Sequence, residues 1–319
     1  FISFIFLGRY GIKEFASPDF LPLLESSIEK QKISDGILLS KQPEISKWIS
    51  EIWQYLSKNE ELIEKVQHLH ILAETEGEKN VSVVQLHVLD GLYVLKRQGS
   101  SSISGAVCEV LQSFGVTLLN ALPGFMPNAS VERYVCSPTT SGVCDVMVKL
   151  LRKTTKEHYL FRKFEELSAS KRKKFAVFMS QANDMDDTVK NFLKELKIFP
   201  IQNHNTLCSV SEVDKITPLK YAEYPISHPD TMIDGNFKGI QLAIMLGCSR
   251  WTDEELTLDI LTRIKDNKIS DKEKIDAFMD FFLSRIQFAT PKQIEVSTLI
   301  PFIESEDGKR RKPQEWFEI

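Results

Sequence analysis

Glycine is scarce in this chain, 14 residues in 319. Neither Gly-x-x-x-x-Gly-Lys-Ser/Thr nor Gly-x-Gly-x-x-Gly occurs, which excludes the commonest backbone cradles for phosphate. There is no Gly-x-Ser-x-Gly elbow to expose a catalytic serine. The five cysteines, 108, 136, 144, 208 and 248, form no Cys-x-x-Cys pair. An odd count without regular spacing argues against a disulfide framework and for a reducing compartment, so a cytoplasmic location is expected. His68 and His70 lie two apart on an expected strand with His87 further on, too loose a set for a tetrahedral zinc site. No apolar run is long enough to cross a membrane or to serve as a secretory leader; Phe1–Leu7 is the nearest and is too short. Net charge is also nearly absent, 40 Lys and Arg against 44 Asp and Glu. That balance makes nucleic acid an unlikely main partner.

What remains is ordinary globular composition, 42% hydrophobic and 26% charged, with length for about two domains. The chain opens on Phe1 and closes on an aromatic segment at Trp316-Phe317, and is read as a piece of a longer polypeptide. Helical periodicity dominates. Ile45, Trp48, Ile49, Ile52, Trp53 and Leu56 fall at offsets of three and four, so the spacing predicts a helix over about Pro43 to Ser57 with a wide apolar stripe. Further helices are expected near 17–30, from Ser100 through Phe114, from Thr140, over 159–167, 170–181, 187–197, 237–246, 252–265 and 271–286. Strands are expected on either side of residues 75–80, at Val116–Leu119, at Ile198–Ile201 and along Val296–Ile303. The expected fold is therefore α+β: helix-rich, with small sheets and irregular helix-helix-strand units. The organisation expected is a helix-rich subdomain over 1–202, a linker or long loop over 203–236, and a smaller helical subdomain over 237–319 ending in a strand.

Three features bear on chemistry. Cys144 follows Ser141-Gly142 at a helix start, where a thiol could be activated, with His158 as a possible base; a small buried core residue is the plainer reading. His228-Pro229-Asp230 matches the tripeptide of J domains but lacks the long helices that flank it there, so it reads as a turn. The marked charge feature is residues 149–174, where ten basic side chains face three acidic ones. Its candidate partner-binding residues are Arg152, Lys153, Lys156, Arg162, Lys163, Lys171, Arg172, Lys173 and Lys174. With Tyr159, Phe161 and Phe164 interleaved, such a run could bind RNA or an acidic protein, or be a solvated helical face.

Several phrases carry a resemblance. Tyr134-Val135 leads through a turn to Gly142-Val143-Cys144-Asp145. Leu196-Lys197-Ile198-Phe199-Pro200-Ile201 is an apolar Pro-containing run. Ala243 to Arg250 leads into Trp251-Thr252-Asp253-Glu254-Glu255, and Leu299–Glu304 precedes Arg311-Lys312-Pro313-Gln314-Glu315-Trp316-Phe317. Together they resemble the large internal repeats of the sacsin family of giant multidomain co-chaperones. In that family each repeat begins with an ATPase-like domain of the heat-shock-90 type. Its site needs a helix-borne Glu/Asn pair, an Asp-x-Gly turn and a Gly-rich lid. Here Asp234-Gly235-Asn236 follows no matching Asn helix. The resemblance therefore implies the later, helix-rich body of a repeat: a scaffold and interaction segment, not an enzyme, without catalytic residues, cofactor or metal. Its implied partners are other modules of the same chain and chaperone or client proteins.

Overall fold

The computed structural model describes residues 17–33, 42–76, 80–85, 92–98, 100–119, 131, 134–155, 157–226, 228, 231–304 and 310–313. The fold is α+β and helix-rich, with sheets of two or three short strands. The chain divides into two compact units. The first comprises Phe1–Lys171 with Ala182–Lys190, the second Arg172–Gln181 with Asn191–Ile319.

The first unit opens with α1 (Ser17–Lys30) and α2 (Pro43–Leu56). The stripe on α2 is buried as its spacing requires, with Ile49, Ile52, Trp53 and Leu56 all inaccessible. Pro43 starts the helix, where its missing N–H costs nothing. A 3-10 turn at Glu60–Leu62 runs into α3 (Ile63–Val66), then β1 (His70–Glu76) pairs antiparallel with β2 (Asn80–Gln85). The Trp53 indole N–H donates to the Ile71 carbonyl at 2.5 Å, so the largest side chain in this core leaves no unsatisfied donor.

Next comes a small parallel sheet in the order β6-β3-β7: β3 (Tyr93–Leu95) lies between β6 (Thr117–Leu119) and β7 (Val135–Cys136). A short hairpin, β4 (Arg97–Gln98) and β5 (Ser101–Ser102), and helix α4 (Gly105–Ser113) connect β3 to β6. The Ser-rich segment thus does not begin the helix, as expected from sequence. Ser101 and Ser102 are strand, and Ser104 is the N-cap, accepting from the Val107 N–H. Gly115 ends this helix with φ of 88°, a conformation that suits a residue without Cβ.

After β7 comes α5 (Thr140–Lys153), capped by Thr139, whose hydroxyl accepts from the Gly142 N–H at 3.2 Å. It buries Val143, Val146, Met147, Leu150 and Leu151. Helix α6 (Glu157–Glu165) stacks Phe164 on Phe114 with ring centres 5.6 Å apart. Helices α7 (Ala169–Met179) and α8 (Asp187–Glu195) each contribute residues to both units.

In the second unit, β8 (Phe199–Pro200) pairs antiparallel with β9 (Leu207–Cys208), and β10 (Lys215–Ile216) pairs parallel with β11 (Ser249–Arg250). Ile233 bridges to both Ile201 and Ile216. Residues 203–236 lie wholly inside this unit, where Cys208, Ser209, Ile216 and Thr217 are buried. After α9 (Ile240–Met245), three helices make a separate core: α10 (Asp253–Lys265), α11 (Lys272–Leu283) and α12 (Pro291–Thr298). Leu256, Ile260, Leu261, Phe278, Met279 and Phe282 meet there with Ile300.

Val296, expected in a strand, lies in α12 with Leu299 as its C-cap; the strand is only β12 (Ile303–Glu304), paired with β13 (Arg310–Arg311). Thr290-Pro291-Lys292-Gln293 explains why. The Thr290 and Gln293 side chains cap each other's backbone N–H groups and Pro291 occupies the first turn, which together start a helix. Among the described residues, no helix is long and apolar enough to cross a membrane.

Candidate functional site

The basic run does not form one block. Arg152 and Lys153 end α5, Arg162 and Lys163 lie on α6, and Lys171 to Lys174 lie on α7, with Lys171 in the first unit and Arg172, Lys173 and Lys174 in the second. Several of these charges have carboxylate neighbours. Lys163 meets Glu166 at 3.0 Å, Arg162 approaches the same carboxylate at 3.8 Å, and Lys171 pairs with Glu109. Arg172 donates to the Lys197 carbonyl at 3.2 Å. Arg152, Lys153 and Lys174 are exposed and Lys173 is half-buried; Lys156 lies outside the described residues.

The thiols are placed as core residues. Cys136, Cys144, Cys208 and Cys248 are buried and Cys108 is half-buried, none in a disulfide. Burial pushes the Cys144 thiol up to about 11, helped by the carboxylates of Asp145 and Asp184. A nucleophilic thiol needs the opposite shift. His68 pairs with Glu25 at 3.1 Å, His87 lies outside the described residues, and no cluster of three metal-binding side chains occurs among the described residues.

Asp234-Gly235 is held by structure of its own. The Gly235 N–H donates to the Thr217 hydroxyl at 2.9 Å, the Asn236 N–H donates to Asp234 Oδ1 at 2.9 Å, and Arg250 donates to the Gly235 carbonyl at 3.2 Å. A Cβ on Gly235 would run into the Thr217 carbonyl oxygen. The glycine is needed for this close packing of backbone on backbone.

Sequence reading takes His228 as a turn residue and misses its role. Its side chain is wholly buried, and its Nε2–H donates to Asp259 Oδ2 at 2.6 Å. The same oxygen accepts from Arg263 Nε at 2.6 Å, one turn along α10. The His228 backbone N–H donates to the Tyr221 hydroxyl at 2.6 Å, and Trp251 sets its ring edge against the imidazole at 5.3 Å. Burial pushes the Asp259 carboxyl up, but the hydrogen bonds from His228 and Arg263 and the Arg263 charge outweigh it and hold the carboxyl below its ordinary value. Pro229 and Asp230 lie outside the described residues.

The second unit carries a groove of about 400 Å³ between the start of α10, the end of α11 and the start of α12. Tyr224, Phe281, Phe282 and Phe288 supply its apolar surface, and Lys220, Asp253, Glu254 and Arg285 its charges. Tyr224 is fixed at the base: its hydroxyl meets Thr257 Oγ1 at 3.0 Å and donates to the Asp253 carbonyl at 3.1 Å, and its ring lies 5.0 Å from that of Phe281. Burial pushes the Tyr224 hydroxyl up to about 12, so it stays protonated. Gln293, itself buried, ties the groove's two sides together, donating from Nε2 to the Glu254 carbonyl at 2.8 Å.

Several apolar side chains close in sequence to the groove's lining are exposed. Phe288 is 76% exposed, and Leu283, Ile286 and Ile294 beside it in sequence are exposed as well. Leu219, next to the lining Lys220, is 61% exposed. Isolated exposed apolar residues need no explanation, but an exposed aromatic ring lining a cavity is the form an interaction site takes. The sequence signal for it is the apolar Leu283, Ile286 and Phe288, which run across the end of the helix expected over 271–286.

No protein-family model matches the chain, and no solved structure matches it. The chain is similar to human sacsin, with 22% identity over 277 residues. The match covers 82% of this chain and 6% of that protein, so the similarity is distant and the chain spans a small fraction of its relative's length.

Proposed function

We propose that this chain is a non-catalytic body segment of a sacsin-like multidomain co-chaperone, and that its second unit offers an interaction surface to client proteins or to neighbouring modules. The observation that carries the reading is the groove lined in part by the exposed ring of Phe288, with exposed Leu219 and Ile286 next to or near lining residues in sequence. A surface of this kind contributes when it removes apolar area from water, about 25 cal/mol for each Å². Two further observations favour binding over chemistry: the Cys144 thiol is buried and its pKa raised, and the Asp-Gly turn is taken up by Thr217 and Arg250. The distant similarity to human sacsin supports the setting.

The test is suppression of aggregation. Chemically unfolded citrate synthase is diluted into buffer with this chain, and light scattering is followed without nucleotide. The chain is expected to slow aggregation in proportion to its concentration, and the Phe288→Ser/Leu219→Ser variant to lose most of that effect at unchanged melting temperature. Absence of any effect, or full effect in the variant, overturns the proposal.

A further inference from the structure

We propose that the groove selects a peptide segment bearing an apolar anchor and a neighbouring basic side chain. This rests on the interaction reading above and names the partner's chemistry.

The argument starts from which charges in the groove are already matched. Arg285 contacts Glu223 at 2.7 Å, and its guanidinium lies 4.2 Å over the Phe281 ring, so its charge is met within the chain. Lys220 stands on the same side and also lowers the Glu223 carboxyl, after the larger effect of Arg285. Across the groove, Asp253 and Glu254 are exposed on the first turn of α10. Neither has an ion-pair partner among the described residues. With the Arg285 charge taken up by Glu223, which does not line the groove, Lys220 stands against the two carboxylates Asp253 and Glu254, an excess of one negative charge at the α10 end.

Aromatic faces add to this preference, because the ring quadrupole attracts cations. Arg285 over Phe281 shows a guanidinium already seated on this aromatic surface. An occupant that buries an aliphatic side chain against Phe282 and Phe288 would bring a flanking Lys or Arg within reach of Asp253 and Glu254. An acidic occupant would meet those carboxylates as like charges and gain only Lys220. Neither carboxylate caps the helix, which is capped by Thr252 and Glu255, and Asp253 Oδ1 meets the Tyr224 hydroxyl at 3.5 Å.

The experiment uses the whole chain and two amphipathic peptides of equal length and helicity, one of leucine and lysine, the other of leucine and glutamate, with binding read by fluorescence anisotropy. The lysine peptide is expected to bind about tenfold tighter, with an advantage that shrinks as salt rises. Asp253→Asn/Glu254→Gln is expected to bring the two affinities within about twofold of each other, and Phe288→Ser to weaken the lysine peptide while leaving the melting temperature unchanged. Equal affinities that both fall with Phe288→Ser would overturn the charge selection and leave the interaction reading standing. Tighter binding of the glutamate peptide, lost in Lys220→Gln, would overturn it in favour of an acidic partner. Binding of both peptides unaffected by Phe288→Ser would overturn both readings. Self-association abolished by Phe288→Ser in analytical ultracentrifugation would make a second copy the occupant and would also overturn the proposal.

Discussion

Gly142→Ala should destabilise the first unit, although alanine is the better helix former. Gly142 lies in the first turn of α5, and its φ is not in the left-handed region, so conformational freedom is not what the position requires. The requirement is space. A Cβ there would stand 2.6 Å from Ser137 Oγ and 2.8 Å from Ser137 N, with the Ser137 carbonyl oxygen nearer still. The serine hydroxyl can rotate away; the backbone atoms cannot without moving the end of β7 relative to α5. Forcing an extra carbon into packed structure costs about 1–3 kcal/mol. With rigid backbone as the obstacle we take the upper part of that range, about 3 kcal/mol. Replacing glycine by alanine in a helix returns about 1 kcal/mol. The net is about 2 kcal/mol of destabilisation, a fall of about 4–8 °C in melting temperature for a unit of this size. Gly105→Ala is the control. It opens α4 with nothing within 4 Å of the added Cβ, so only the propensity gain acts and melting should stay level or rise. Thermal melts by circular dichroism on both variants decide. Ser137→Ala should not rescue Gly142→Ala, because it leaves the backbone obstacle in place. If Gly142→Ala melts at or above Gly105→Ala, the argument from backbone approach is wrong.

Asp259→Ala should cost about 2 kcal/mol, less than a fully buried ion pair because Asp259 is about one-third exposed; denaturant melts at neutral pH measure it. Because that carboxyl is held below its ordinary value, its contribution is complete above about pH 4, the unfolded value, and fades as pH falls through the folded value. The gap between wild type and Asp259→Asn should therefore narrow on acidification, and a gap that widened would refute the assignment. Gln293→Ala removes two hydrogen bonds at a buried position, to the Thr290 N–H and the Glu254 carbonyl, and should cost about 1–3 kcal/mol in the same assay. Iodoacetamide should label Cys108 well before Cys144, Cys208 and Cys248, whose thiols burial pushes up to about 11, 12 and 11. Rapid native labelling of Cys144, read by peptide mass spectrometry, would reopen the thiol-enzyme alternative.

What could be read from the sequence was local. The α2 stripe is legible because six apolar residues repeat at helical spacing on one helix, and burial of that face is what holds the helix in place. The capping box at Thr252 and Glu255 is legible for the same reason, since all its partners lie within four residues. The parallel sheet is not. Its strands have two or three residues each, too few for alternation to show, and Val135 pairs with Tyr93 through a register that no local pattern encodes. Helix α12 carried a usable signal in Thr290-Pro291-Lys292-Gln293, but its apolar positions are poorly periodic: Gln293 is buried and Ile294 is exposed. That inversion of the usual inside-outside pattern is what the groove side of α12 looks like in sequence.

The same contrast separates the charged run from the groove as sites. Ten cations in 26 residues look like a surface when written in a line, yet a helix sets residues three and four apart side by side, and Glu166 answers Arg162 and Lys163 in that way. Glu109 answers Lys171 from another helix. Linear charge density therefore overstates the field the fold presents. The groove is the converse case. Its lining comes from three separated stretches, around Lys220, Asp253 and Phe281 to Gln293, and no sequence motif joins them. Its chemistry exists only because Gln293 and Tyr224 bind those stretches to one another. Such a site is made by packing, so the residues that maintain it, Gln293 and Thr257 among them, should influence partner binding without touching the partner.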